Sequence, residues 1–318
     1  MSRIIDPTGS KVQPHRVHGL FFGVIAQTQF GDVSALWAAW PRSRVIGYGV
    51  HVFVVRGVMI DTGFPGVASE MREVIASLTS RGATLRGGML RGAMLTHHHE
   101  DHAGNLQLLV DAGVAVAMDA ETLARVRQPG RIGLYRHFAW RAMRALKGAV
   151  TPFADDALSL VPTPGHCPNH HSVWDANTGT CFLGDLYLGV RVRIAHAYEN
   201  PRAHVQSLRS IIARKPARVF CAHRGLIEHG VARLQAKADW IDEMIGVVEQ
   251  RLDAGQSVEQ VCREFLGRLG STHFISAGDY SPRNLVTAIR DTRTNGSETN
   301  ANAVANIIGT PSAPRAHQ

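Results

Sequence analysis

The sequence is poor in cysteine and has no long uninterrupted apolar segment. Its four cysteines among 318 residues lie far apart, and no two form a Cys-x-x-Cys pair. This spacing argues against a disulfide framework and against a thiolate zinc site. No stretch reaches the roughly 18 uncharged apolar residues that a membrane span needs, and the first residues lack the apolar core of a secretion signal. We therefore expect a cytoplasmic protein with reduced thiols and no membrane partner.

Acidic residues are missing from one part of the chain. No Asp or Glu occurs between Thr122 and Ala154, a segment that holds six arginines and one lysine, in a chain whose formal net charge is +8. Two interpretations stay open, because such a run is either a solvated helix face or a surface that attracts an anionic substrate or RNA.

The apolar residues, 45% of the chain, are enough for a sizeable core and follow two similar series. In the first series, apolar runs predict strands at 20–27, 46–55, 58–60, 89–95 and 114–118, with helices at 69–80 and 101–111. In the second, strands are predicted at 158–161, 172–175, 180–183 and 218–222, with a helix at 201–214. Two strand-rich halves with attached helices indicate an α/β protein in which two sheets pack face to face with helices outside.

The stretch THHHEDH, residues 96–102, directly follows an apolar run. By composition alone, its His-x-His-x-Asp-His pattern would be expected about two times in a thousand chains of this kind. His97 and His99 are two apart on an extended chain and project to one side, while Asp101 and His102 follow where a helix begins. Four such ligands exceed what one open catalytic ion needs, so the stretch predicts two metals with further ligands downstream.

Candidates for those further ligands follow three other apolar strands. They are His166 in VPTPGHCPNH, Asp185 in CFLGDLYLG and His223 in VFCAHRG. Each alone is commonly a hydrogen-bonded loop residue. Their recurrence at strand ends, in a chain that already holds the histidine motif, favours one shared metal site.

Together these motifs resemble the metallo-β-lactamase-fold hydrolase superfamily over roughly residues 18–230. The resemblance implies a four-layer αβ/βα sandwich and two divalent ions bridged by Asp185. The first ion would be held by His97, His99 and His166, and the second by Asp101, His102 and His223. Asp61, in VVRGVMIDTG, resembles the family residue that orients the metal loop.

The bridging aspartate also indicates a branch of the family. True β-lactamases of this fold generally lack it, whereas the glyoxalase II, lactonase and nuclease-like branches keep it. The helices after the last strand give the chain a distant similarity to β-lactamase-like protein 2 endoribonucleases and to the quinolone-signal response protein of pseudomonads.

On this basis the chain is divided into five parts. They are an N-terminal extension at 1–17, a catalytic domain at 18–230, an inserted helical cap at about 125–150, a C-terminal helical appendage at 231–290 and a disordered tail at 291–318. The cap is predicted from an apolar stripe formed by Leu134, Phe138, Ala142, Ala145 and Leu146. The appendage is predicted to contain helices at 231–252, 258–269 and 282–290.

The implied mechanism is attack by a hydroxide that bridges two metal ions, with Asp101 as proton acceptor and Asp185 holding the ions at their spacing. The ligand types suit zinc first, and iron or manganese as alternatives. Asp61, Thr96 and His170 are expected to orient the ligands. His98 is expected to point away, and Cys167 to be packed or to lie just outside the ligands. Substrate contacts are predicted, with simple packing as the open alternative, at Tyr135, Arg136, Trp140 and Tyr187.

Three functions remain open at this stage. The first is hydrolysis of a small ester, thioester or lactone, with an acyl or lactone compound as the partner. The second is phosphodiester hydrolysis, including that of RNA, which the basic segment favours and the lack of an aromatic row for stacking bases disfavours. The third is a regulatory effector that binds a ligand at its metal site without turnover. A homodimer is also left open.

Overall fold

The computed structural model describes residues 23–80, 89–267, 276 and 278–293. The predicted N-terminal extension lies outside these residues, as does nearly all of the predicted disordered tail. The described part contains eleven strands and ten α-helices. The strands are β1 Val24–Phe30, β2 Val33–Ala39, β3 Val50–Val55, β4 Val58–Ile60, β5 Gly92–Met94, β6 Val116–Ala117, β7 Leu158–Pro162, β8 His171–Asp175, β9 Thr180–Phe182, β10 Arg218–Cys221 and β11 Gly225–Leu226. The helices are α1 Pro41–Val45, α2 Ala68–Thr79, α3 Glu100–Ala103, α4 Leu106–Asp111, α5 Ala120–Arg127, α6 Leu134–Trp140, α7 Pro201–Ala213, α8 Gly230–Asp253, α9 Val258–Val261 and α10 Pro282–Asp291.

The strands form two mixed sheets, one from each half of the chain. The first has the order β1-β2-β3-β4-β5-β6, in which only β4–β5 and β5–β6 are parallel. The second has the order β11-β10-β9-β8-β7, in which only β9–β10 is parallel. Parallel pairs need long crossovers, and helices supply them on the outer faces of both sheets.

Alternation along the strands explains why the sheets pack face to face. Phe53 and Val55 of β3 face the second sheet, whereas Val52 and Val54 of the same strand face helices on the other side. Phe53 meets Phe182 and Phe220 across the interface, with ring centroids 5.2 and 5.3 Å apart. Burial on both faces makes β3 apolar at every position except His51, and the resulting helix–sheet–sheet–helix order is the predicted four-layer αβ/βα sandwich.

The outer face of the second sheet is covered by α7, α8 and α10. Helix α8 presents buried residues at helical spacing, namely Leu234, Ala238, Ile241, Ile245 and Val248. These side chains pack in one cluster with Leu208 of α7 and Leu285 of α10. The helices after the last strand therefore share their core with the second sheet, and they bring side chains to one edge of the cavity described below.

The predicted cap does not contain the expected apolar stripe on one continuous helix. Helix α6 ends at Trp140, because Arg141 takes a left-handed conformation with φ +67°, and no helix is assigned to 141–150. Leu134 and Phe138 are 89% and 48% exposed. The buried residues of α6 are instead Ala139 and Trp140, and the carbonyl of Ala139 accepts a hydrogen bond from the indole of Trp40.

Two further differences from the predictions concern a helix that is divided in two and a strand that was not expected. The helix predicted at 101–111 is split into α3 and α4. Strand β2 was not predicted, although Gly31 and Asp32 form a two-residue connection between paired Phe30 and Val33.

No helix in the described part of the chain is both long and apolar enough to span a bilayer.

Candidate metal centre

The histidine-rich loop is held by Asp61, which directly follows β4. Its carboxylate accepts hydrogen bonds from the backbone N–H and the hydroxyl of Thr96 and lies 2.8 Å from Nδ1 of His102. Asp61 itself has φ +61°, a left-handed conformation that aspartate tolerates better than most residues. The end of one strand thereby fixes both ends of the loop that follows its parallel neighbour β5.

The first group of ligand atoms comes from His97, His99, His166 and Asp185, all buried. Nδ1 of His99 lies 3.0 Å from Nε2 of His97 and 3.0 Å from Nε2 of His166. Three imidazole nitrogens bound to one tetrahedral zinc lie about 3.3 Å apart, as follows from bond lengths near 2 Å. The three histidines are therefore spaced as zinc ligands would be.

The second group comes from Asp101, His102, His223 and again Asp185. Oδ1 of Asp185 lies 3.2 Å from Nε2 of His102 and 3.0 Å from Nε2 of His223, while Oδ2 lies 3.4 Å from Nε2 of His166. Each carboxylate oxygen of Asp185 thus faces a different group. This is the arrangement that a bridging carboxylate requires.

The other ring nitrogen of each of the five histidines has a neighbour outside the two groups. Nδ1 of His97 lies 3.0 Å from the Thr96 hydroxyl, and Nδ1 of His223 lies 3.1 Å from the carbonyl of Gly49. The remaining three contacts are Asp61 with Nδ1 of His102, the Tyr198 hydroxyl with Nε2 of His99 at 3.0 Å, and the Glu199 carboxylate with Nδ1 of His166 at 3.6 Å. Such contacts fix ring orientation and tautomer in metal sites.

The histidines of the two ligand groups differ in the direction in which their pKa values are shifted. Burial, reinforced by neighbouring imidazoles, holds the pKa of His97 and of His99 well below the usual value. Burial alone would raise the pKa of Asp185, but His223 and His102 hold it well below its usual range. Burial alone would lower the pKa of His102 and of His223, but the charge of Asp185 raises both. Because a metal ion binds neutral imidazole, it would displace the protons of these two histidines.

Two buried atoms without hydrogen-bond partners also indicate that the site suits divalent cations. Nε2 of His102 and Oδ1 of Asp185 are buried and, within the described residues, form no hydrogen bond, although they are close together. Buried polar atoms without a partner are costly and call for an explanation. A cation that accepts both lone pairs provides one, and imidazole with carboxylate is a donor set that suits zinc, iron and manganese.

The two groups lie in the wall of a cavity of about 890 Å³. Tyr48, Tyr135, Arg136 and Trp140 line it on the side of α1 and α6. Apolar side chains line it on the side of the C-terminal helices, namely Ile241 and Met244 of α8 and Leu285 of α10, together with Val192 and Ile194 of the loop before α7. The site is thus a pocket with polar and apolar walls rather than a flat surface.

The sequence model of the metallo-beta-lactamase superfamily matches residues 46–223, more than half of the chain. The chain belongs to this superfamily. The match contains all seven side chains of the two ligand groups.

The chain is also similar to several curated proteins, two of which are described here. A beta-lactamase-like protein 2 homolog of Caenorhabditis elegans is 23% identical over 240 residues, which cover 70% of this chain and 71% of that protein. A hydroxyacylglutathione hydrolase of Gloeobacter violaceus is 26% identical over 176 residues, covering 54% of this chain and 63% of that protein. This metallo-beta-lactamase family member therefore spans less than two thirds of the latter relative.

Solved structures of the superfamily share the fold. The metallo-beta-lactamase family protein TTHA1429 of Thermus thermophilus superposes with a TM-score of 0.58 at 18% identity, covering 84% of this chain and 95% of that one. A metallo-beta-lactamase of Erythrobacter litoralis gives a TM-score of 0.51 at 15% identity, covering 69% and 96%. At these identities the likeness concerns the fold alone.

The residues that were predicted to lie beside the metal ligands have the following positions in this superfamily member. Thr96 and His170 adjoin the ligands, and Nε2 of His170 accepts the backbone N–H of Asp185 at 3.0 Å. His98 belongs to neither of the two ligand groups that share Asp185, and its Nδ1 lies 2.9 Å from the side-chain oxygen of Asn169. Cys167 is buried, and burial raises the pKa of its thiol.

Of the four predicted substrate contacts, the structure brings three to the cavity. Tyr135, Arg136 and Trp140 line it, whereas Tyr187 lies in the hydrophobic core and not among the lining residues. A turn follows β9, in which the backbone N–H of Leu186 donates a hydrogen bond of 3.1 Å to the carbonyl of Leu183. After this turn Asp185 reaches the site, whereas Tyr187 belongs to the hydrophobic cluster that contains Val219 and Leu234.

In the folded chain, two arginines of the basic segment form ion pairs with glutamates that lie outside the segment in sequence. Arg136 forms an ion pair of 2.5 Å with Glu100, and Arg125 pairs with Glu121 on the same helix at 2.6 Å. The guanidinium of Arg141 lies over the ring of Trp40 at 4.9 Å. Whether the remaining cations bind an anion stays a prediction.

Sequence analysis missed four residues that the fold brings to the site. The hydroxyl of Tyr48 lies 2.5 Å from Oδ2 of Asp101 and 3.1 Å from Nε2 of His223. Tyr198 and Glu199 contact ligand histidines, and Lys237 lines the cavity. Tyr48 follows a glycine in a loop and Lys237 is one cation on a long helix, so neither had a local signal in the sequence.

Proposed function

We propose that this protein is a dinuclear metal-dependent hydrolase that cleaves a small ester, thioester or lactone. The observation that carries the proposal is the pair of ligand groups sharing Asp185 in the wall of a pocket that apolar side chains of α8 and α10 also line. Pockets of this size that combine apolar side chains with convergent polar groups are typical of small-molecule sites.

The residues that would hold the ions are the seven described above, with Asp185 common to both. Zinc is the first choice, and iron and manganese suit the same donors. When bound, the ions supply Lewis acidity and lower the pKa of water at the site.

The chain's own groups would manage the protons. Oδ2 of Asp101 lines the cavity and already accepts a hydrogen bond from Tyr48, so we assign it as the proton acceptor. Burial and the charge of Asp101 raise the pKa of Tyr48 well above its usual value. Tyr48 therefore stays protonated at neutral pH. Its single O–H is accepted by Asp101 in this structure, and it can be donated to a substrate oxygen once Asp101 has accepted a proton or is bound to a metal ion.

Phosphodiester hydrolysis is the second candidate, supported by charge at the cavity. Arg191, Arg193 and Arg224 line it, and within the described residues none of them forms an ion pair with a carboxylate. Unpaired arginines favour phosphate groups. The apolar wall formed by α8 and α10 favours an acyl group instead, and it makes the carbonyl substrate our first choice.

The experiment compares three substrates on the zinc-loaded protein: an acyl thioester, an acyl homoserine lactone and bis-p-nitrophenyl phosphate. His166→Ala and Asp185→Ala test the two ligand groups, and His98→Ala is the matched control because His98 belongs to neither group. We expect turnover of a carbonyl substrate that the first two variants lose and the control keeps. Turnover of the phosphodiester alone would overturn the proposal in favour of the second candidate. Metal binding without any turnover would favour a regulatory effector.

A further inference from the structure

Lys237, on the C-terminal helix α8, is a buried lysine in the wall of the catalytic pocket. Its side chain is 1% exposed, and its Nζ donates a hydrogen bond of 2.8 Å to the carbonyl of Leu186. That carbonyl also accepts from Nε2 of His204 at 2.8 Å. Leu186 is the residue directly after Asp185, so the ammonium lies next to the candidate metal centre.

The charge of Lys237 has no carboxylate partner within ion-pair distance in the described part of the chain. Its neighbours are the ring of Tyr187, with centroid 5.7 Å from Nζ, and the thiol of Cys221. Burying an ammonium without a counter-ion is costly, and one carbonyl leaves two of its three N–H donors without a strong acceptor.

The surroundings of Lys237 show that packing alone does not demand a lysine. The residues one and two turns further along the pocket side of α8 are Ile241 and Met244, and Leu285 of α10 also lines the cavity. All three are apolar. A leucine or methionine at position 237 would continue this wall without the cost of a buried charge.

We propose that Lys237 is a specificity-determining residue that selects substrates carrying a carboxylate on the acyl portion. The acyl chain would lie along the apolar wall, its reacting carbonyl would face the two ligand groups, and its carboxylate would take up the free donors of Nζ. This inference rests on the proposed hydrolase function and names the class of acyl group that the enzyme prefers.

Protonation of Lys237 gives a test that needs no substitution. Burial lowers the pKa of Lys237 to about 8, and bound divalent cations would lower it further. The ammonium is therefore present in mildly acid solution and is lost as the pH rises through 8. The titratable groups that face it from other elements are His204, Cys221, Tyr187, Asp185 and Glu199. Burial holds the pKa of His204 well below its usual value and raises that of Cys221 to about 11, so neither titrates in the same range.

The experiment uses matched thioesters of N-acetylcysteamine on the zinc-loaded full chain. Succinyl and glutaryl thioesters carry the terminal carboxylate, and butyryl and valeryl thioesters carry a methyl group in its place. We expect kcat/KM for the carboxylates to exceed that for the neutral chains by at least about tenfold near pH 6, with the ratio falling towards pH 9. In Lys237→Met the ratio should fall to about one, and in Lys147→Met, which changes an exposed lysine, it should stay at the wild-type value.

Calorimetric binding of succinate and butyrate supplies a readout besides activity. If the wild type binds succinate more tightly than butyrate and Lys237→Met does not, the inference is supported. This holds even if no thioester is hydrolysed, because the absence of hydrolysis would count against the proposed function only. Hydrolysis of all four thioesters with no carboxylate preference, or a preference that Lys237→Met retains, overturns the inference while the proposed function stands. If Lys237→Met fails to fold, as judged by circular dichroism, the wild-type pH profile decides: a ratio that stays constant between pH 6 and pH 9 overturns it.

Discussion

The hydroxyl of Tyr198 lies 3.0 Å from Nε2 of His99, the ring nitrogen that does not face the ligand group. Removal of this contact in Tyr198→Phe frees the imidazole to rotate and leaves Nδ1 less well placed. We expect the affinity for the first metal equivalent to fall by about tenfold. Competition with a chromophoric zinc chelator measures this affinity directly.

Tyr135→Phe is the matched control for that measurement. Its hydroxyl donates to Asp279 and does not touch a ligand histidine. Equal zinc affinity in the wild type and in Tyr198→Phe would show that the phenol does not orient His99.

Tyr48 provides a prediction about turnover rather than metal binding. Its hydroxyl contacts Oδ2 of Asp101 and also lines the cavity. In Tyr48→Phe the proton donor is lost while all seven ligand side chains remain, so kcat should fall by about a hundredfold. Zinc content, measured on the same samples, should stay at the wild-type value. A loss of zinc in proportion to activity would assign Tyr48 to the ligand framework and not to catalysis.

The ion pair between Glu100 and Arg136 is buried, with side chains 11% and 12% exposed. A double-mutant cycle with Glu100→Gln and Arg136→Met should give a coupling free energy of unfolding above about 1.5 kcal/mol. Urea denaturation of the four proteins measures it. The exposed pair Arg125 and Glu121, 45% and 42% exposed, is the control and should give less than about 0.5 kcal/mol. Coupling energies of equal size would mean that burial of the first pair has no energetic effect.

Asp61 is expected to stabilise the fold even without metal. In Asp61→Ala the backbone N–H of Thr96 and Nδ1 of His102 lose their acceptor in a buried place, and the free energy of unfolding should fall by about 2 to 4 kcal/mol. Asp61→Asn should lose less, because asparagine also tolerates positive φ and keeps one acceptor.

The measurement for Asp61 is urea denaturation of the metal-free protein. Asp242→Ala breaks an exposed ion pair with Arg209 and should cost less than about 1 kcal/mol. An Asp61→Ala variant as stable as the Asp242→Ala control would remove the role of Asp61 in holding the metal loop.

The ligand residues could be predicted from sequence because their signals are local. His97 to His102 lie within one loop, and His166, Asp185 and His223 each follow an apolar strand, so short-range spacing and strand periodicity indicated these positions as candidates. Their division into two ligand groups came from the resemblance to the superfamily. The four-layer order followed from the same strands. Residues that act through tertiary contacts gave no such signal: Tyr48 is 53 positions from Asp101, and Tyr198 is 99 positions from His99.

Periodicity misled where one backbone conformation interrupts it. The apolar stripe from Leu134 to Leu146 continues past Trp140 in the sequence, but the left-handed conformation of Arg141 ends the helix there. Leu146 is still buried, through a different path of the chain. Conversely, Lys237 has the helical spacing of a core position, and only the packed structure reveals a cation at the edge of the cavity.

Metal content tests the central claim most directly. Elemental analysis of protein purified without chelators, then loaded with zinc and desalted, should return about two equivalents per chain for the wild type and for His98→Ala. Asp185→Ala should retain less than about one, because Asp185 belongs to both ligand groups. Less than one equivalent in the wild type, or the same zinc content in Asp185→Ala as in the wild type, would contradict the account.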